Sequence, residues 1–397
     1  MSAVKISNNI YWVGAVDWNI RNFHGYTYET QRGTTYNAYL ILDDKITLVD
    51  TVLDAFSAQF IENIKNIVDP RKIDYIIANH LETDHTGSLP EILKYCPQAK
   101  IFATNKCIEG LKQYYKLDSN FEAVKTKDKL NIGKRNLTFI TAPMLHWPDS
   151  MFSYINEDKL LLSNDAFGQH YATSKRFDDQ VNSVILEEEA AKYYGNILWP
   201  FSSIAYKKIQ EISEMNIELD MIAPAHGLIW RKNPKKIIDL YLRWSEHKTK
   251  KKVVVIYETM WGSTAKMAEK ITEAIADNQV EVSLFDINKS KKSDIIGAML
   301  EAEGFVVGSS THDNDLLPNL SGFLKFLEGL KPKKRKVAVF GSFGWAGGAT
   351  GSIAKLLKDN LGLDLVQPEL AIKHRPCEED LKKCYQFGKD FVAKLSN

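Results

Sequence analysis

The sequence predicts a two-domain α/β protein, and three observations carry that prediction. At 397 residues the chain exceeds one ordinary hydrophobic core. Short apolar runs alternate with helical stretches in both halves. Between the halves, Arg243 to Lys252 is charged and lacks any apolar alternation, so the expected domains are 1–248 and 249–397. Apolar residues at 44% and charged residues at 25% are globular proportions. With 51 basic against 50 acidic residues, bulk charge gives no reason to bind nucleic acid or an anionic membrane. The N-terminus has no basic-then-apolar signal pattern and no run approaches the ~18 apolar residues of a span, so a cytoplasmic protein is expected.

In the first half, Ile10 to Val13, Tyr36 to Leu42 and Ile46 to Asp50 read as strands, with Asp43-Asp44 as a hairpin turn. Helical stretches near 54–66 and 105–116 alternate with strands at 74–79, 100–104 and 136–142. The strand at 74–79 runs straight into His80-Leu81-Glu82-Thr83-Asp84-His85, which packs four metal-ligating side chains into six residues. His80 and Glu82 stand two apart and Asp84 and His85 are adjacent, a pattern that suits two ions side by side. Imidazole accepts zinc and iron alike, whereas carboxylates are harder ligands that favour iron or manganese and can bridge. Three more strand ends deliver ligand types, namely His146, Asp165 and His226. Each alone reads as an ordinary polar loop; together they form a constellation. Asp50, at its own strand end, is expected to brace the site.

In the second half, Val253 to Tyr257 reads as a buried parallel strand, followed by the hydroxyl-rich loop Thr259-Met260-Trp261-Gly262-Ser263-Thr264 and a helix over 265–276. Strand, small hydroxylated loop and helix make an anion cradle, because loop amides and hydroxyls face the positive end of the helix. The pattern is neither a triphosphatase loop nor a dinucleotide fingerprint. Strands at 280–285, 304–308 and 336–341 alternate with helices near 292–300, 319–328, 349–360 and 379–394, the order of a five-stranded doubly wound sheet. Two strand-end loops, Ser309 to Asp315 and Gly341 to Gly348, complete the ligand-facing edge. The four cysteines, Cys96, Cys107, Cys377 and Cys384, form no Cys-x-x-Cys pair, so no iron–sulfur or rubredoxin-type centre is encoded.

The His-x-Glu-x-Asp-His run, the later His, Asp and His, and the flavodoxin-type phosphate loop together resemble the flavodiiron (A-type flavoprotein) family, over roughly residues 4–395. The resemblance implies an αββα metallo-β-lactamase-like sandwich followed by a flavodoxin-like doubly wound parallel sheet. It implies two non-haem irons, one held by His80, Glu82 and His146, the other by Asp84, His85 and His226, with Asp165 bridging. In some members the histidine matching His85 does not coordinate. Related zinc hydrolases carry His where this chain has Glu82. The resemblance also implies FMN, held by Thr259, Met260, Trp261, Gly262, Ser263 and Thr264 and by the loop residues Ser310, Thr311, His312, Asn314, Ser342, Phe343, Gly344, Trp345 and Gly347. Trp261 and Trp345 are the expected stacking partners of the ring.

An aromatic lining drawn from Phe23, Tyr26, Trp147, Met151, Phe167, His170 and Tyr193 suits a small uncharged substrate. His24 and Tyr194 are the expected proton or hydrogen-bond donors beside it. The expected function is an oxidoreductase that passes electrons through FMN to the diiron centre and reduces dioxygen to water or nitric oxide to nitrous oxide. An external donor, a rubredoxin or a reduced deazaflavin, is expected, as is a head-to-tail homodimer in which one subunit's FMN serves the other's irons. The basic runs Lys248 to Lys252 and Lys331 to Lys336 offer docking charge or plain solvated surface. The alternatives are a dizinc hydrolase fused to a flavodoxin-like domain, against which Glu82 argues, and an electron carrier with a vestigial metal site.

Overall fold

A computed structural model describes residues 2–396. They form two compact units. The first comprises the chain through Leu242 except for two segments, His24–Glu29 and Tyr194–Ser202, which cluster with the second unit from Arg243 onward. The change of unit therefore falls at the start of the charged stretch Arg243 to Lys252, ahead of the expected 248/249 boundary. The two excursions have no signature in composition.

The first unit is a sandwich of two sheets. One runs in the order Val4–Ser7, Ile10–Trp12, Tyr39–Ile41, Thr47–Val49, Tyr75–Ala78, Lys100–Ala103, Phe121–Ala123. Its early neighbours pair antiparallel and its later ones parallel. The other runs Lys129–Asn131, Asn136–Thr141, Met151–Ile155, Leu160–Asn164, Met221–Pro224, and only its last pair is parallel. A single apolar cluster fills the space between them: Trp12, Tyr39, Val49, Ile77 and Phe102 from one sheet meet Leu137, Phe139, Ile155, Leu162 and Ala223 from the other. Alternate residues of each strand face this cluster, and in strands such as Met151–Ile155 and Leu160–Asn164 the residues between them are buried as well. Met151, expected at the site, belongs to this core instead. Parallel pairs need a helical crossover. Helices Ser57–Lys65 and Asn105–Tyr115 serve the first sheet, and Ser183–Tyr193 with Ser202–Glu214 lie between the strands of the second sheet's parallel pair. The arrangement is the expected αββα sandwich.

The second unit carries a parallel sheet in the order Glu281–Asp286, Lys250–Glu258, Ala302–His312, Lys336–Phe343, Asp364–Leu365, with Leu370–Lys373 also pairing parallel to Lys336–Phe343. This is the doubly wound order in which ligands bind at the carboxyl ends of the strands. Helices Ser263–Asp277 and Glu378–Val392 supply Met267, Ile271, Ile275 and Phe387, Phe391 to one apolar cluster with Val253, Val255 and Val306 of the sheet. The expected fifth strand is split into two short pieces, 364–365 and 370–373, too brief to leave a periodic signal.

Candidate metal centre and nucleotide cleft

All the strand ends that carry ligand-type residues in the first unit open on one edge of the sandwich. Leu160–Asn164 and Met221–Pro224 are parallel, so Asp165 and His226 emerge side by side. The amide of Met151 donates to the carbonyl of Asn79 at 2.9 Å, tying the two sheets together beside His80. After the strand Tyr75–Ala78, Glu82 adopts extended backbone and the chain enters a single helical turn, Thr83–Thr86, that carries Asp84 and His85. Thr86 Oγ1 donates back to the carbonyls of Leu81 and Glu82, and Thr51 Oγ1 to that of His85, so the loop is fixed from both sides. His226 is followed by Gly227 at φ +80°, where any side chain would collide with Gln169.

The seven side chains sort into two groups around Asp165. His80 Nε2 lies 3.4 Å from Glu82 Oε2 and 3.5 Å from Asp165 Oδ2, and His146 Nε2 lies 3.3 and 3.6 Å from the same two atoms. His85 Nε2 lies 3.4 Å from Asp84 Oδ2 and 3.2 Å from Asp165 Oδ1, and His226 Nε2 lies 3.1 and 3.4 Å from those. Charge-assisted hydrogen bonds are shorter than this, about 2.7–2.9 Å. Ligand atoms about 2.1 Å from a shared ion at tetrahedral angles stand roughly 3.4 Å apart. Buried His80 Nε2, His85 Nε2, Asp84 Oδ1 and Asp165 Oδ2 have no hydrogen-bond partner among the described residues. Spacing, orphaned atoms and a mixed imidazole–carboxylate donor set fit two metal ions sharing Asp165.

The outer contacts orient the rings. His80 Nδ1 meets Asp149 Oδ2 at 3.0 Å, and His226 Nδ1 meets the carbonyl of Thr35 at 2.7 Å, so each turns Nε2 to the centre. His85 Nδ1 has no such partner. Asp50 accepts from the Asn79 amide at 2.7 Å and side chain at 3.0 Å, and from Asn164 at 3.4 Å; it braces both sheets. Burial alone would disfavour charge at all these groups. For Asp165 the facing His85, His226 and His80 outweigh burial and hold the carboxyl well below its usual range. For His226 burial is overcome by Asp165 and Asp84, which push it up to about 10.

Of the expected lining, Phe23 packs 4.3 Å from His170 and 5.4 Å from His226, and Trp147 packs 5.2 Å from His80. Phe167 packs against Tyr241. Of the two expected donors, Tyr194 is engaged elsewhere. Tyr194 lies in the segment that clusters with the second unit, with its hydroxyl 3.1 Å from Ser202 Oγ and its ring against Trp244. Its neighbour Tyr193 is the residue that donates to Asp165 Oδ1, at 3.1 Å. A helix that passes into a wider turn at Tyr194–Leu198 decides between adjacent tyrosines, and no sequence signal does. His24 and Tyr26 lie in the other segment of the second unit and are exposed.

In the second unit the carboxyl ends of the parallel strands surround a cleft of about 410 Å³. Met260, Trp261, Ser263, Ser310, Thr311, His312, Asn314, Ser342, Phe343, Gly344, Trp345 and Gly347 line it as expected. Thr259, Gly262 and Thr264 do not. Thr259 Oγ1 accepts from the Gly262 amide at 3.1 Å and shapes the loop, Gly262 takes φ +83° at the helix start, and Thr264 is buried beneath. Thr264 Oγ1 lies 2.9 Å from both Ser310 Oγ and Ser342 Oγ, a hydroxyl cluster that joins the helix start and two strand ends into the cleft floor. Trp261 and Trp345 are each 88% exposed, so two indoles stand in the open at the rim of a polar cleft. Asp313, Ala346, His374 and Arg375 also line it and were not foreseen. The short strand Leu370–Lys373 delivers the last two.

Residues 34–227 match the family described as ODP family beta lactamase, and residues 255–388 match Flavodoxin. The chain is 48% identical over 395 residues to a nitric oxide reductase of Moorella thermoacetica, covering 99% of each. It superposes on the rubredoxin oxygen:oxidoreductase from Desulfovibrio gigas with a TM-score of 0.95 at 36% identity, covering 99% of this chain and 98% of that one. It superposes equally well, at a TM-score of 0.95 and 34% identity, on the flavodiiron protein from Giardia intestinalis, covering 99% of this chain and 96% of that one.

Proposed function

This chain belongs to the flavodiiron family, oxidoreductases that carry FMN and a non-haem diiron centre, and on that premise we propose a reductase that converts nitric oxide to nitrous oxide and, as a second substrate, dioxygen to water. The observation that carries the reading is the division of one buried carboxylate: Asp165 turns Oδ2 to His80 and His146 and Oδ1 to His85 and His226. Such a group holds two ions at a fixed separation, which lets two diatomic molecules, or the two ends of one, be handled together.

On this reading His80, Glu82 and His146 would hold one iron and Asp84, His85 and His226 the other, with Asp165 available to both. Bound FMN and iron supply the electrons that either reduction consumes. The chain's own residues do the rest. Asp149 and the Thr35 carbonyl hold His80 and His226 as Nε2 ligands. Tyr193 keeps Asp165 oriented and offers a hydroxyl proton at Oδ1. Glu82 gives the first group a hard oxygen donor, which favours iron over zinc. Phe23 and Trp147 keep the immediate surroundings apolar, which suits an uncharged gas.

Electrons come from a separate carrier of the rubredoxin class, or a reduced deazaflavin, and the working form is a head-to-tail homodimer in the cytoplasm. Among the described residues no helix is long and apolar enough to cross a membrane, which is compatible with that setting.

The test is a paired measurement on one preparation: metal and flavin content, then anaerobic reduction and stopped-flow mixing with each gas. About two irons and one FMN per chain, with fast reoxidation by nitric oxide and formation of nitrous oxide, is the expected result. Two zincs, with flavin reoxidation indifferent to the metal, would replace the reductase by a hydrolase fused to a flavoprotein domain.

A further inference from the structure

The flavin cleft holds one charged group that the phosphate loop does not account for. Arg375 is the single lysine or arginine among the residues lining it, and among the described residues no carboxylate pairs with its guanidinium. Its position is set by its neighbours. The strand Leu370–Lys373 runs parallel to Lys336–Phe343 with Lys373 opposite Phe343, so the two following loops lie side by side. The His374 amide donates to the Phe343 carbonyl at 2.7 Å with His374 at φ +64°, a left-handed turn that redirects the chain toward the cleft. Buried Pro376 follows and keeps Arg375 out of helical conformation. Arg375 is exposed and lines the cleft from this turn.

The phosphate cannot be its target. The cradle Thr259–Thr264 follows the strand Lys250–Glu258, and Leu370–Lys373 lies three places along the sheet, past Ala302–His312 and Lys336–Phe343. At about 4.8 Å per strand the two loops are roughly 14 Å apart. A bound FMN whose phosphate sits in the cradle therefore presents its ring system to Arg375. The ring has two outer edges. The dimethylbenzene edge is apolar and gives a guanidinium nothing, while the pyrimidine edge offers N1 and the C2 carbonyl, two acceptors at the spacing of a planar fork.

We propose that Arg375 binds the pyrimidine edge of FMN and stabilises the negative charge that reduction places there, so that this chain binds reduced flavin more tightly than it would with a neutral edge. The inference rests on the assignment of the cleft to FMN. Two electrons from the external carrier and one proton convert oxidised FMN to a reduced ring that is anionic at N1, and a fixed cation takes the place of a second proton. Asp313, the one carboxylate lining the cleft, lies 3.2 Å from Nδ1 of its neighbour His312 with its side chain 90% exposed, where solvent screens its charge.

The experiment compares FMN affinity in both oxidation states for the full-length wild type, Arg375→Gln and Arg375→Lys, with the two-electron midpoint potential read on the same samples under dithionite. The glutamine variant is expected to lose about tenfold in affinity for reduced FMN relative to oxidised, equivalent to a fall of about 30 mV. Lysine should recover part of it. Equal loss for both states would overturn the proposal and make Arg375 a contact blind to reduction; riboflavin, which lacks only the phosphate, would keep the dependence on residue 375 for a ribityl contact and lose it for a phosphate contact. No change in either state would overturn it and leave Arg375 a surface residue. If the wild type itself binds no FMN, the assignment of the cleft fails, which is a separate outcome.

Discussion

Asp149 reaches His80 from the opposite sheet: its Oδ2 lies 3.0 Å from His80 Nδ1 and takes the Leu81 amide at 2.6 Å as well. One buried carboxylate oxygen thus fixes both the ring and the backbone of the first ligand, whose side chain is wholly inaccessible. Asp149→Ala leaves a ring N–H and an amide N–H buried without an acceptor. Metal affinity is expected to fall about 10–100-fold, in line with the loss of orienting partners elsewhere. Competition with a chelator, following iron release from the full-length protein, checks it; unchanged retention would mean that His80 is held by other contacts.

Glu82→His tests the choice of metal. Glu82 Oε2 faces His80 and His146 at 3.4 and 3.3 Å, and an imidazole there would convert a hard oxygen donor to a borderline nitrogen. Iron occupancy should drop and zinc occupancy rise in protein made with both metals present. Elemental analysis decides, and full iron content with full reductase activity would remove Glu82 from the ligand set.

Much of this was readable from the sequence because strand ends announce themselves. Apolar runs that lead into His, Glu or Asp pointed to seven candidate ligands, which the resemblance sorted into a site, and the sandwich brings these side chains together because parallel neighbours deliver their termini to one edge. What periodicity could not reach was decided by tertiary packing. Tyr193 and Tyr194 are adjacent, and only the helix phase before the turn at 194 sends Tyr193 to Asp165. Thr264 has the composition of a phosphate contact yet is turned inward by Ser310 and Ser342. His374 and Arg375 follow a strand of four residues, below the length at which alternation can be recognised.

His247 makes stability depend on pH. Burial, then the charges of Arg335, Lys333 and Lys334, lower it from its ordinary 6.5 to about 4. The unfolded chain therefore takes up a proton that the folded chain refuses between those values. The contribution of the neutral ring is complete above pH 6.5 and is lost as pH falls toward 4. For a half-buried ring, solvent screening reduces the effect to about 1 kcal/mol. Denaturant unfolding of wild type and His247→Gln at pH 7.5 and 5 should show the two curves converging at the lower pH, because glutamine takes no proton. Parallel curves would mean that the ring is protonated equally in both states.

The hydroxyl cluster under the cleft gives the last prediction. Thr264 Oγ1 sits 2.9 Å from each of Ser310 Oγ and Ser342 Oγ, and the two serines stand 3.4 Å apart, so the helix start and two strand ends share a chain of buried hydrogen bonds. Thr264→Val keeps the shape and removes the central oxygen, leaving two buried hydroxyls short of a partner at a cost of about 1–3 kcal/mol. Thr264→Ser keeps the oxygen and loses one methyl group, so about 1 kcal/mol is expected. If Thr264 acts through the floor, the valine variant should lose stability without bound FMN and bind FMN more weakly in proportion, since Ser310 and Ser342 are no longer held. If instead it touched the phosphate directly, affinity for FMN would collapse while the flavin-free protein kept its stability. Unfolding and FMN titration of the same flavin-free samples separate the two, and the inward hydrogen bonds favour the first.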